Sequence, residues 1–305
     1  MTQDRLIYFG TDAFSVPPLI QLLSEDREVV AVVTKPDSRT GRGRELSSPA
    51  VKRLADARGI PVLQPDRLPS IAAEIKQLKP SSGVVVAYGK IIPQSIIDLF
   101  PKGLINIHPS LLPRYRGPSP IESAILNGDD VTGVTLMQLD AEMDTGPTYD
   151  AAKLQLTGKE TRPDLYEQLA ELGASHLSAK LDAILEGRIV PIPQDKSLVS
   201  ITRLLEKSDG DIDWSQPADQ IEREIRAYLL WPSSRTELAG TQVTITSAHT
   251  QPASGQPGLA FRTAAAELAV YAGEGSLIVD TLKPAGKREM TGPEFLAGHP
   301  LPERI

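Results

Sequence analysis

The sequence predicts an α/β protein: a mostly parallel sheet with helices on both faces, followed by a small antiparallel β-barrel. Three observations carry this. Over residues 1–186, short apolar runs alternate with stretches of helical periodicity. From residue 209 onward, short β-branched runs are separated by glycine and proline turns. Between them, residues 187–208 contain Pro191 and Pro193 and read as a linker. The predicted domains are therefore 1–186 and 209–305.

Residues 5–9 are apolar, end at Gly10 and predict a buried first strand. A helix follows over 16–23, with Pro17 and Pro18 in the first turn, where a missing N–H breaks no helical bond. The β-branched run 28–34 is a second strand. Residues 49–58 are helical, 61–63 extended, 71–78 helical and 83–87 extended. Two more strands fall at 105–108 and 133–138. This alternation builds βαβ units and hence a Rossmann-like sheet, whose ligands gather at the carboxyl ends of its strands. That rule groups the segments after Phe9, Ala87, His108 and Gln138. Leu165, Leu169, Leu172, Leu181, Ile184 and Leu185 form one core-facing stripe on a helix over 163–186. In the second domain, 218–228 is helical, and 241–246, 258–261, 268–271 and 277–282 are strands of an OB-like barrel.

Apolar residues make up 40% of the chain, enough for two cores, and there is no cysteine. Disulfides, thiolate metal sites and a cysteine nucleophile are excluded. The N-terminus lacks the charged-then-apolar pattern of a signal peptide, and no apolar run approaches the roughly 18 residues that span a bilayer. A soluble, cytoplasmic protein is expected. The net charge of −7 disfavours nucleic-acid binding by bulk charge. One local exception exists: residues 35–58 carry seven basic and three acidic side chains, a net of +4. Within it, Arg39, Arg42 and Arg44 alternate with glycines. Arginine suits phosphate, although a solvated charged loop is the commoner reason for such a pattern.

The densest chemical signal is Asn106 and His108, two apart on a strand and so on the same face. A carboxamide donor beside an imidazole can stabilise an oxyanion and handle a proton. Taken alone, Asn106 also suits a loop cap and His108 a satisfied core histidine. Asp144 follows the next strand. It can orient the imidazole and favour its protonated form, or simply make a turn before Gly146. Rival chemistries lack their parts. There is one Asp-Thr-Gly where an aspartic protease needs two, no Gly-x-Ser-x-Gly elbow, no Gly-x-Gly-x-x-Gly after Phe9, and four scattered histidines that make no metal site.

Together, Asn106, His108, Ser110, Leu111, Leu112, Pro113, Arg116 and Gly117, with Asp144, Thr145 and Gly146, resemble the signature of the 10-formyltetrahydrofolate-dependent formyltransferases. The resemblance implies that Asn106, His108 and Asp144 are catalytic. It implies that Ser110, Leu111, Leu112 and Pro113 contact the folate, and that a loop with Tyr88, Gly89 and Ile91, and another with Asp140, line its pterin pocket. The co-substrate is then 10-formyltetrahydrofolate, with no metal. Phe9, Gly10, Thr11, Phe14 and Pro17 at the start, Lys35, Pro36, Asp37, Gly41 and Arg42, Trp214, Trp231 and Pro232 are similar to the branch acting on methionyl initiator tRNA. In that branch Lys35, Arg39, Arg42 and Arg44 would contact tRNA, the barrel would bind tRNA, and the enzyme would be a monomer. Members of the family that formylate sugar-nucleotide amines share the catalytic set but lack the Arg-Gly-Arg insertion. Two departures stand out. Residues 227–230 replace an Asn-Pro usual before the tryptophan, and residues 206–305 carry 9 basic against 14 acidic side chains in a region that is usually basic.

Overall fold

The computed structural model describes residues 4–40 and 45–301. The chain forms two compact units. The first runs from the N-terminus to Pro120 and adds Val131–Gln155 and Tyr166–Thr202. The second takes Ile121–Asp130, Leu156–Leu165 and the chain from Arg203 onward.

The first unit is built on seven strands: β1 (Arg5–Gly10), β2 (Glu28–Val33), β5 (Val62–Leu63), β6 (Ser82–Val86), β7 (Leu104–His108), β8 (Val131–Gln138) and β9 (Thr148–Gln155). Their order is β5-β2-β1-β6-β7-β8-β9, and the first five run parallel. Helices α1 (Val16–Ser24), α2 (Ala50–Ala57), α3 (Ala72–Leu78), α4 (Gln94–Ile97) and most of α6 (Arg162–Leu185) belong to this unit. The strands are continuous apolar runs because both faces are covered. On one face Ile7, Phe9, Val85 and Leu104 pack with Ile75, Ile96 and Phe100. Each such fully buried side chain contributes about 1.5–3 kcal/mol. On the other face α6 lies on β7 at Gly173, where an added Cβ would stand 2.8 Å from Ile107 Cγ2.

Three departures from the sequence reading bear on the site. First, β8 runs antiparallel to β7, with Ile105 opposite Gln138 and His108 opposite Thr135. The chain therefore leaves Gln138 at the amino end of β7, away from the carboxyl ends where the parallel-sheet rule groups it. Second, β9 was not predicted. It is an edge strand with no fully buried residue, so it has no apolar run to read. Third, the stretch read as a linker is hydrogen-bonded to the first unit: Ile192 bridges Thr148, and Ile201 bridges Arg116.

In the basic segment, β3 (Ser38–Thr40) pairs antiparallel with β4 (Glu45–Ser47), placing Arg39 opposite Leu46. Arg42 and Arg44 lie outside the described residues.

The second unit contains α5 (Pro120–Leu126) for all but its first residue, α7 (Ala218–Ala227), α8 (Gly292–Gly298) and the strands β10 (Ser234–Leu238), β11 (Thr241–Gln251), β12 (Ala260–Arg262), β13 (Leu268–Tyr271), β14 (Ser276–Pro284) and β15 (Met290–Thr291). The strands form an antiparallel sheet in the order β10-β11-β14-β13-β12, with β15 also on β14, an open half-barrel. Register shifts between Ile245 and Ala248 interrupt the β11 ladder, as at a bend. Ile221 and Ile225 of α7 and Phe295 of α8 fill its concave side with Val243, Leu268, Val270 and Leu277. Thr291 and Glu294 close a capping box on α8, an arrangement worth about 1 kcal/mol. Among the described residues, no helix is long and apolar enough to cross a membrane.

Candidate active site

β7 carries the site. Antiparallel pairing puts Asn106 opposite Met137 and His108 opposite Thr135, so these four side chains share one face. Asn106 is 8% exposed, and His108 is 4% exposed. The Asn106 carboxamide forms no hydrogen bond with the described residues. His108 Nε2 donates to the carbonyl of Tyr115 at 2.9 Å. Its Nδ1 stands 3.5 Å from Asp144 Oδ1. That distance exceeds a direct hydrogen bond, which leaves Nδ1 as the ring nitrogen open to a reacting group.

Asp144 reaches His108 although β8 ends at the far end of β7. The segment after Gln138 turns back along the sheet. Leu139 N–H donates to the carbonyl of Leu104, and Gly146 lies so close to the backbone of Gln138 that a Cβ has no room there. Asp144 Oδ2 accepts the N–H of Gly117 at 2.8 Å. Three non-glycine residues around the site hold left-handed backbone: Ala87 (φ 46°), Tyr115 (φ 59°) and Asp144 (φ 54°). This conformation costs roughly 1–2 kcal/mol for most residues and less for aspartate.

The residues expected at the folate fall into two groups. Ser110 is fully buried; its hydroxyl donates to the carbonyl of Arg114 at 2.6 Å, and its carbonyl accepts from Thr135 Oγ1 at 2.7 Å. Thr135 Oγ1 also accepts the N–H of Leu112 at 3.1 Å, so the hydroxyl pins the whole turn that runs through Leu111, Leu112 and Pro113. Tyr88 packs edge-on to Phe9 in the core, and burial pushes its phenol up to about 12. Its hydroxyl is buried without a hydrogen-bond partner. Gly89 has left-handed backbone (φ 69°), and Lys35 Nζ lies where its Cβ would be. Lys35 thus sits on this loop. Ile91 is 77% exposed. Asp140 Oδ2 accepts from Thr145 Oγ1 at 2.7 Å, whereas its Oδ1 is buried without a hydrogen-bond partner.

Sequence reasoning missed Thr135, Tyr115, Gln194, Ser200 and Thr202. Gln194 Nε2 donates to the carbonyls of Asp144 at 2.9 Å and Gly146 at 2.7 Å. Ser200 Oγ accepts the N–H of Tyr115 at 2.8 Å. Thr202 Oγ1 donates to the carbonyl of Arg116 at 3.0 Å. Hydrophilic side chains in a proline-containing stretch carry no periodicity that would flag them. Among the described residues, no three histidine or acidic side chains gather to hold a metal ion.

Residues 5–181 match the formyl transferase family, and 204–300 match the formyl transferase C-terminal domain. The methionyl-tRNA formyltransferase of Myxococcus xanthus is 41% identical over 303 residues, covering 99% of this chain and 97% of that one. That of Roseiflexus castenholzii is 42% identical over 300 residues, covering 96% of each. Among solved structures, the N-formyltransferase of Helicobacter canadensis in complex with folinic acid and dTDP-3-aminofucose has the same fold. Its TM-score is 0.68 at 20% identity, covering 91% of this chain and 99% of that one.

Proposed function

The chain belongs to the formyl transferase family, and on that premise we propose that it moves the formyl group of 10-formyltetrahydrofolate to the α-amine of methionyl initiator tRNA. The observation that carries the reading is one buried sheet face holding an uncommitted carboxamide, Asn106, beside an imidazole, His108, whose Nδ1 faces a carboxylate, Asp144.

The neutral amine attacks the formyl carbon. A nitrogen–carbon bond forms, and the carbonyl oxygen becomes an oxyanion. Asn106 Nδ2 and a hydrogen on His108 Nδ1 face that oxygen, where preorganised donors act most strongly. The bond to N10 then breaks. The proton lost by the amine is returned to N10 through Asp144, giving tetrahydrofolate and N-formylmethionyl-tRNA. His108 cannot swing away, because its Nε2 is tied to Tyr115. The folate is a substrate here, and one feature fits its pterin: the partnerless buried Oδ1 of Asp140 accepts a ring or amino N–H. Ser110, Leu111, Leu112 and Pro113, with the backbone of Tyr88 and Gly89 and the side chain of Ile91, line the rest.

The basic segment with Arg39, Arg42 and Arg44 grips the acceptor end of the tRNA by its phosphates. The enzyme works as a monomer in the cytoplasm; sedimentation as a dimer would refute the first point. The functional test is transfer from 10-formyltetrahydrofolate to initiator methionyl-tRNA, with elongator methionyl-tRNA and an amino-sugar nucleotide as parallel acceptors. The initiator alone is expected to be formylated. Turnover on the sugar alone would overturn the acceptor while leaving the site in place.

A further inference from the structure

We infer that Gln194 is a positioning residue for Asp144, and that residues 194–202 are part of the active site. This rests on the reading of Asp144 given above. Gln194 works with both ends of its amide. Nε2 donates to the carbonyls of Asp144 and Gly146, at 2.9 and 2.7 Å. Oε1 accepts from Arg116 Nε and Nη2, at 3.0 and 2.8 Å. Next to Arg116, Gly117 N–H holds Asp144 Oδ2 at 2.8 Å. The aspartate is thus held twice, by its backbone from Gln194 and by its carboxylate from Gly117. Both holds meet at the 116–117 turn.

The consequence is geometric. With Oδ2 committed to Gly117, Oδ1 is the oxygen that faces His108 Nδ1. Asp144 has left-handed backbone at φ 54°, a conformation that persists when its surroundings over-determine it. Gln194 supplies that constraint at the carbonyls of Asp144 and Gly146, the residues that flank Thr145. The same strap fixes the other side of the imidazole. Ser200 Oγ accepts Tyr115 N–H, and the Tyr115 carbonyl holds His108 Nε2. Arg116 N–H donates to the carbonyl of Ser200 at 2.9 Å, and Thr202 N–H to that of Arg116 at 2.7 Å. These backbone bonds keep the strap seated when the Gln194 side chain is removed, so the substitution tests position rather than folding.

The experiment is a double-mutant cycle on the whole enzyme with formyl donor and initiator methionyl-tRNA. Gln194→Ala is expected to lower kcat about tenfold, as small misplacements of a reacting group do, with both KM values within about twofold and thermal unfolding retained. In the Asp144→Ala background the same change is expected to cost less than about twofold, because its effect passes through the missing carboxylate. Gln194→Glu, equal in shape, keeps the acceptor toward Arg116 but loses both donors. It carries the same comparison if the alanine variant fails to fold. A wild-type kcat, or an equal tenfold loss in the Asp144→Ala background, overturns the inference. A wild-type rate for Asp144→Ala itself would instead overturn the assignment of the site.

Discussion

The two units bury different kinds of polar group. The first buries a carboxamide, an imidazole and several hydroxyls on or beside one strand, with Asn106, His108, Ser110 and Thr135 all less than about a tenth exposed. Among the described residues of the second, the buried polar side chains are the hydroxyls of Ser234, Thr263 and Ser276 and the Glu122 carboxylate, which is paired with Arg162. Burying an amide or an imidazole costs free energy unless every polar atom finds a partner. Asn106 has none among the described residues, and Asp140 Oδ1 is also without one. The second unit also buries atoms without partners, Arg223 Nε and Ser234 Oγ, so the contrast lies in the kind of group buried: an amide and an imidazole on one strand of the first unit, and no such pair among the described residues of the second.

The largest effects should break this contrast if it is false. Asn106→Ala is expected to lower kcat by about 10²–10³-fold, the usual cost of losing one oxyanion donor. Asp144→Asn preserves a residue type that tolerates the left-handed backbone while removing the negative charge. It should cost at least about 10²-fold in kcat. Single-turnover rates together with melting curves check both. Near-normal turnover in either would move the chemistry elsewhere.

Charge sharpens the contrast next. The segment 35–58 is net positive, whereas residues 206–305 are net −5. Replacing Arg42 and Arg44 together with alanine should raise KM for tRNA, leave KM for the formyl donor unchanged, and flatten the logarithmic salt dependence by about 1.4–1.8, the value of two phosphates. An unchanged slope would transfer tRNA binding to the acidic unit.

The smallest effect concerns the second unit by itself. Burial holds the Glu224 carboxyl above its ordinary range. With the folded value raised above the unfolded one, the unfolded state loses its proton first as pH rises. Stability is then full below the unfolded value and falls as pH rises toward the folded one. Glu224→Gln should therefore raise the melting temperature slightly at about pH 7 and leave it unchanged at about pH 4. A stabilisation equal at both would assign the gain to something other than charge.

How much was legible follows from burial and direction. The strands around Ile7, Val32 and Val84 were readable because both sides are covered, which leaves unbroken apolar runs. β9 was not, since Tyr149, Ala151 and Lys153 lie on a half-solvated edge. The pair Asn106 and His108 could be placed on one face from their spacing alone. The approach of Asp144 could not be derived that way. It follows a strand that runs against its neighbour, so the rule for parallel sheets groups it with His108 for a strand direction the chain does not have. Resemblance named Asp144, but only the structure shows the returning segment 139–147 that delivers it.

The sequence by itself determined the buried parallel strands and the one strand that presents an amide and an imidazole together. All of these depend on local periodicity and on which side chains leave water. Tertiary structure alone decided the reversal of β8, the return of Asp144 to His108 and the clamp of Gln194 on Asp144 and Arg116. Those depend on hydrogen bonds between residues far apart in the chain, and nothing in the pattern around either partner records the other.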